Sequence, residues 1–342
     1  MRKMIISAIL LLATAACSKQ GVEERDRTVR LALSVDGIDV TTRTVEADPY
    51  VGAAFSVDAP FKTDVWFTLT PGEYQHDPSA NEELSIPVHT QISHTSADGT
   101  DAMFEGKNIL YPLEEGQDVQ EPVYCVGFYP EEKWIQGSED DNVVTCEITG
   151  DQDLMFADLI EGNYNTYFGA QQFKHLLTWV KINVIATSVE AANAWGKVNY
   201  LSIEGVNSTV QINLTDEHGT PSQISFTGDP LKMVTVDTDV LAEMKELNIR
   251  GTLAGSVLCC PPEPRSETDP TLGYQLTVST NNVNEKKEIF VPITWENQND
   301  TDSKGKILII NLYFNEVSVV SGVCTLSYWE NTSEDLYLEI EQ

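Results

Sequence analysis

Cys17 is the residue in this chain whose surroundings ask for a specific chemistry. It follows Ala13-Thr14-Ala15-Ala16, small residues of the kind a signal peptidase accepts, and these follow an apolar run from Ile5 to Leu12 and a positive start, Met1-Arg2-Lys3. The apolar run is too short to cross a bilayer comfortably. A thiol in this setting resembles the lipobox cysteine, which receives a diacylglycerol thioether and then an N-acyl chain; Thr14 stands where that pattern usually has Leu. Several acyl chains on one cysteine anchor a protein that a single chain would hold only marginally. The other reading is an ordinary secretory signal with an incidental cysteine. Either way, the chain beyond Cys17 is expected to fold outside the cytoplasm.

The remaining reactive side chains form no catalytic pattern. No nucleophile elbow, HExxH, P-loop or dinucleotide fingerprint occurs. His89 and His94 could hold a metal with a nearby carboxylate, but their separation fits neither one strand face nor a usual ligand spacing, so solvated loop histidines are expected. His175 sits in an apolar run and reads as a core histidine with a partner. Asp151, Asp153 and Asp158 bracket Leu154-Met155-Phe156, while Asp300 to Gly305 reads DTDSKG with Lys304 at a ligand position and no closing Glu, so a calcium loop is not expected. Acidic residues are too abundant for a glycosidase pair to stand out. No catalytic residue, metal or cofactor is therefore assigned, and the chain is expected not to be an enzyme. Beyond Cys17, Cys125 and Cys146 flank a polar loop at a distance a bridge could span, and Cys259, Cys260 and Cys324 follow. An odd set of five leaves the pairing open, with buried free thiols the default.

The formal net charge is −32, and loss of Arg2 and Lys3 with the leader takes it to about −34. A surface of that sign repels nucleic acid and anionic membrane. With 41% hydrophobic residues, the chain is nevertheless a folding one. About 325 residues after the leader suffice for two domains.

Frequent Val, Ile, Thr, Tyr and Phe in short runs separated by Gly and Pro predict many strands and little helix. Residues 18–28 read as a polar tether. A first strand follows, with Val29, Leu31, Leu33 and Val35 on one face. Residues 41–49 read as exposed loop. Further strands are predicted at 65–70, 109–112, 123–130 and 143–148, then as one long strand from Phe173 to Ala186. Ser188 caps a short helix to Trp195, and Asp239 caps a second one that includes Met244 and Leu247. Strands resume at 198–204, 209–214, 223–226, 274–279, 289–295, 307–315, 317–329 and 336–340, with Pro292 confining its strand to an edge. The organisation expected is an all-β pair of β-sandwiches in series, spanning 29–187 and 188–342 behind the signal at 1–17.

Particular segments carry more than strand character: Thr42-Arg43 after the first strand, Ile109-Leu110-Tyr111-Pro112, Val126-Gly127-Phe128-Tyr129-Pro130, Asp153-Leu154-Met155-Phe156-Ala157, Phe173-Lys174-His175 with the strand Val180 to Val184, and the late Trp329. In order and spacing through residues 42–186 they resemble the fimbrillin-like family of type V pilins, lipoprotein precursors of adhesive surface fibres in certain Gram-negative bacteria. The resemblance implies two transthyretin-like β-sandwich domains, a palmitoylated anchor in the outer membrane, and a place at the cell surface in a fimbrium beside other fimbrial subunits. It also implies that an Arg-specific protease cuts after the first strand, which departs, and that a strand from the next subunit fills the groove. Arg43 matches the cleavage position best; Arg30 lies inside the strand. Val29, Leu31, Leu33 and Val35 would be the displaced face. Leu336, Leu338 and Ile340 form a candidate donated alternation, with a plain final strand as the equal alternative.

The resemblance leaves shaft, tip and accessory roles open, the short C-terminal tail leaning towards tip or accessory, and it does not name the adhesion receptor. The rival reading is a surface glycan-binding lipoprotein of a polysaccharide-uptake system, with Trp66, Trp134 and Trp195 as stacking platforms. For Cys17 the expected outcome is direct: Cys17→Ser abolishes palmitate incorporation and moves the protein from the membrane fraction to the soluble fraction. Labelling that survives the substitution rules the lipid anchor out.

Overall fold

The computed structural model describes residues 29, 31–35, 43–44, 53–54, 61–74, 89–95, 102–104, 111, 122–137, 142–237, 244–293, 302–315 and 320–328. Among them the fold is all-β, with one short helix, Val189–Trp195. No helix among the described residues is long and apolar enough to cross a membrane.

A seven-stranded sheet forms the N-terminal part. Its strands run in the spatial order Ala32–Val35, Ala170–His175, Met155–Gly162, Val123–Tyr129, Thr63–Thr68, His89–Thr95, Ala102–Phe104. The two central strands explain its stability. Thr63–Thr68 is buried at every position and Val123–Tyr129 at all but one, so both faces of the sheet are covered. On one face, Trp66, Phe128 and Phe156 meet at ring-centroid separations of 4.7 and 5.4 Å, and Trp134 adds a third contact to Phe128 at 5.3 Å. That face packs with a four-stranded sheet of Gln223–Thr227, Thr209–Asn213, Val143–Glu147 and Ile135–Gln136, whose Val144, Cys146, Val210 and Ile212 point into the same core. These strands alternate buried with exposed residues, as a sheet wet on its outer side must.

Two further sheets make up the second half. Thr178–Ala186 lies between Thr252–Cys259 and Lys306–Phe314, with Val320–Tyr328 beyond. Opposite stand Leu231–Asp237, Lys197–Val206, Asp269–Thr280 and Glu263–Ser266, joined by the short strand Lys245–Glu246 and by Lys287–Pro292. Val180, Ile182 and Val184 face Leu201, Ile203, Leu276 and Val278 across a continuous core. Pro292 ends a strand that pairs only along Asp269–Thr280; one step on, Ile293 makes a single parallel bridge to Cys324 in the other sheet. Gly322 permits that closure, because a side chain there would collide with Val291 at 2.4 Å.

Two departures from the sequence reading locate the join between the halves. The run Phe173 to Ala186 is two strands: His175 ends one sheet, and Thr178 begins another after the buried pair Leu176-Leu177. Uninterrupted hydrophobicity hides the break, since both strands and the link are apolar. Thr178–Ala186, ahead of residue 188, pairs only with strands of the C-terminal half, whereas Thr209–Thr227, after it, reaches back to pair with Val143–Glu147. The helix behaves as its sequence dictates: Ser188 Oγ accepts the Ala191 N–H at 3.0 Å, and Trp195 donates to the Asn315 carbonyl at 2.7 Å. The second helix does not continue where described, for Lys245–Glu246 pairs as a strand with Lys197–Val198; residues 238–243 lie outside the described residues. Tyr111 has no strand assignment; residues 109, 110 and 112 lie outside the described residues.

Phe128 is fully buried at the centre of the aromatic cluster. Phe128→Ala is therefore expected to cost about 3–5 kcal/mol in denaturant unfolding, against less than about 0.5 kcal/mol for the half-exposed Val323→Ala.

Candidate functional site

The seven-stranded sheet has a second face, and its edge is where the sequence placed a removable strand. Ala32–Val35 runs parallel to Ala170–His175 in the register Ala32–Ala170, Leu33–Gln171, Ser34–Gln172 and Val35–Phe173. It pairs with no other strand among the described residues. Every other pairing in this sheet is antiparallel. An edge strand holds one ladder of backbone hydrogen bonds, where an interior strand holds two, so it can leave without breaking the sheet in half.

Apolar burial holds it. Val29, Leu31 and Leu33 are only 1%, 1% and 6% exposed, and they join a core separate from the aromatic one on the far face. At ~1.5–3 kcal/mol for each side chain, their burial is worth roughly 5–9 kcal/mol as an upper bound. The groove floor is made by Val65, Phe67, Cys125, Met155, Ala157 and Phe173. Its rim is aromatic. Phe61 stacks on Tyr129 at 4.8 Å and meets Phe173 edge-on at 5.0 Å, while Tyr111 stacks on Phe168 at 5.8 Å and its hydroxyl oxygen accepts the Phe168 N–H at 3.2 Å. Burial pushes the Tyr111 phenol up to about 12, against the opposing pull of that hydrogen bond. Gly127 has no side chain because one would strike Phe173 at 2.5 Å.

Arg43 is not in an open loop. Arg43–Thr44 form a two-residue ladder with Ala53–Ala54, so the bond after Arg43 lies within a paired, extended segment. So short a ladder opens locally at little cost. Cys17 and the alternation Leu336, Leu338 and Ile340 lie outside the described residues, and so does the side chain of Val35. Among the described residues, the only strand pairing of Arg43–Thr44 is with Ala53–Ala54, and none links them to the groove.

Other sequence candidates resolve into structure. Trp66, Trp134 and Trp195 are 2%, 5% and 2% exposed and belong to the core, so they offer no stacking platform to a glycan. Packing demand for large rings outweighs any surface role there. His175 Nδ1 lies 2.6 Å from Asp153 Oδ2, both side chains buried. The two residues had been read separately, and their closeness comes from the pairing of Met155 with His175. Asp302 accepts the Lys304 N–H at 3.1 Å in a turn. The strand Met155–Gly162 does not stand out in the sequence, because Asp151 and Asp153 precede it and Asp158 sits inside it, all reading as turn residues. Instead Asp158 sits at a bulge and accepts both the N–H and hydroxyl of Ser222, tying the returning hairpin to the sheet. Cys125, Cys146, Cys259, Cys260 and Cys324 are all buried, and none forms a disulfide with another. Among the described residues no group of three or more His, Cys, Asp or Glu side chains is placed to hold a metal ion.

No family model and no curated protein matches the sequence. Solved structures do. A candidate cell adhesion protein from Bacteroides uniformis aligns at 16% identity and a TM-score of 0.50, covering 88% of this chain and 98% of its own. A candidate cell adhesion protein from Bacteroides ovatus follows at 14% identity and 0.47, over 89% and 98% of the two chains. A fimbrial protein from Bacteroides vulgatus gives 12% and 0.40, over 89% and 100%. At the first of these scores the similarity establishes a shared fold, and the all-β fold expected from the sequence resemblance is the one found.

The thiols give the folded protein a measurable pH limit. Burial pushes Cys125 upward, and Cys146, Cys260 and Cys324 to about 12, from an ordinary value near 9. Because the folded state resists ionising them, their contribution is complete below about pH 9 and is lost as pH rises towards 12. The unfolding midpoint is expected to fall across that window, and iodoacetamide at pH 8 should modify none of these cysteines without denaturant.

Proposed function

We propose that this chain is a subunit of an adhesive surface fimbria, exported as an outer membrane lipoprotein through Cys17 and polymerised by strand exchange after cleavage at Arg43. The observation that carries the reading is the one-sided attachment of Ala32–Val35 together with the deep burial of Val29, Leu31 and Leu33. A strand of this kind acts as a plug. While it is present the groove is closed; once it is gone, Ala170–His175 presents unpaired donors and acceptors beside an apolar trough, and both are costly to leave against water. An extended segment from another chain satisfies both demands at once, by β-augmentation. Other fimbrial subunits and an Arg-specific protease are the partners this requires.

Covalent attachment is what makes the cut necessary. A resident strand joined to its own sheet competes at a high effective concentration that no free segment matches. Cleavage at Arg43 turns that strand into a separate peptide that dilution can carry away. The fold shared with a candidate cell adhesion protein supports the surface role. The three tryptophans given as examples for the glycan-binding rival lie in the core, which counts against that reading.

Limited digestion of the purified precursor with an Arg-specific protease is expected to give a product beginning at Thr44, followed by oligomers on size exclusion, while Arg43→Gln stays uncut there and monomeric. Complete cutting at Arg43 that leaves only monomers, with the first strand still bound, would overturn the exchange mechanism.

A further inference from the structure

One side chain in the groove does not fit its surroundings. Gln171 is 0% exposed among hydrophobic residues. Its Nε2 finds only the Cys125 sulfur, at 3.8 Å, and its Oε1 has no hydrogen-bond partner. Turning the amide over exchanges the two ends and still leaves one of them without an oxygen or nitrogen partner. A buried amide end left this way weakens an equilibrium by on the order of tenfold. The cost is avoidable: Met fills the same volume with no polar demand. Gln171 stands at the position paired with Leu33, on the strand that the removable segment uncovers.

We infer that Gln171 selects the incoming strand, and that the segment replacing Ala32–Val35 carries an amide side chain, Asn or Gln, at the position Leu33 now holds. The inference rests on the exchange reading above and adds the chemistry of the partner. Its geometry comes from the pairing. Parallel strands in register set matching side chains about 4.8 Å apart on the same face, the spacing at which stacked amides hydrogen bond one to the next. Leu33 has the right position and no donor. A Gln there extends beside Gln171 and offers its N–H to Oε1, while the flanking apolar positions are kept. The resident strand is thus the weaker of two occupants, and exchange runs downhill once the tether is cut.

A double-substitution cycle on the uncut full chain tests the selectivity without any assembly. Leu33→Gln is expected to raise the unfolding equilibrium constant by a factor at least tenfold smaller in the presence of Gln171 than in the Gln171→Met background. Equal losses in the two backgrounds overturn the inference. Should Leu33→Gln fail to fold in either background, Gln171→Met alone decides: its unfolding midpoint stays level or rises if the amide is unsatisfied, and a clear drop shows that the amide already has what it needs. A second arm uses full chain cut after Arg43 and two synthetic peptides of residues 28–36, one with Leu33 and one with Leu33→Gln. About tenfold tighter binding of the second, abolished by Gln171→Met, supports the assignment. Equal binding of both overturns it while leaving exchange intact; binding of neither overturns exchange itself, and the cycle on the uncut chain still judges Gln171.

Discussion

Everything distinctive about this molecule depends on a strand that is held strongly from one side and, among the described residues, paired with nothing on the other. Ala32–Val35 contributes a single ladder of hydrogen bonds to Ala170–His175, and its apolar neighbours Val29, Leu31 and Leu33 are fully packed. The combination is unusual for an edge, since edges are normally short, polar or covered. Here the hydrogen bonding is that of a dispensable strand and the packing is that of a core strand. In the exchange we propose, loss of the strand would open a groove whose walls have their own support from the opposite face of the sheet.

That support comes from the sheet's opposite face. Thr63–Thr68 and Val123–Tyr129 are buried on both sides, and the cluster around Phe128 is independent of the groove residues. The four-stranded sheet behind it includes Thr209–Thr227, a hairpin lent by the C-terminal half and fastened through Asp158 to Ser222. The N-terminal sheet is therefore braced by residues far along the chain. The strand at the edge contributes to neither the aromatic cluster nor the brace, and the proposed exchange relies on that separation.

The strand pattern was legible where period-two alternation or β-branched runs stood alone, as in Val123–Tyr129, Thr209–Asn213 and Lys306–Phe314. The Ser188 cap was legible because a hydroxyl before a helical run has one local purpose. Legibility failed where local composition and tertiary use diverged. Met155–Gly162 is a central partner strand with aspartates before and inside it that looked like turn residues. Leu176-Leu177 interrupts two strands of different sheets without a Gly or Pro to mark it. For the groove, the alternation of Val29, Leu31 and Leu33 announced a buried face, but edge position and parallel pairing are long-range facts. Gln171 was invisible for the same reason: a glutamine between Ala170 and Gln172 reads as a polar strand, and only the fold turns its side chain into the groove.

An exchange in one groove is a difference between two occupants, and only interactions that differ can drive it. Backbone ladders do not differ, because any extended segment supplies the same donors and acceptors. Apolar side chains at alternate positions differ little, since Val, Leu and Ile gain similar energies from burial. Two differences remain. In the proposed exchange, the tether favours the resident strand until it is cut, and it is entropic, so cleavage would remove it outright. Side-chain hydrogen bonding to the groove floor favours whichever strand carries the matching group. A precursor stable enough to be exported, yet committed to exchange afterwards, needs the first difference to be large and reversible by one cut and the second to be smaller and permanent. An apolar plug opposite an unsatisfied buried amide has both properties.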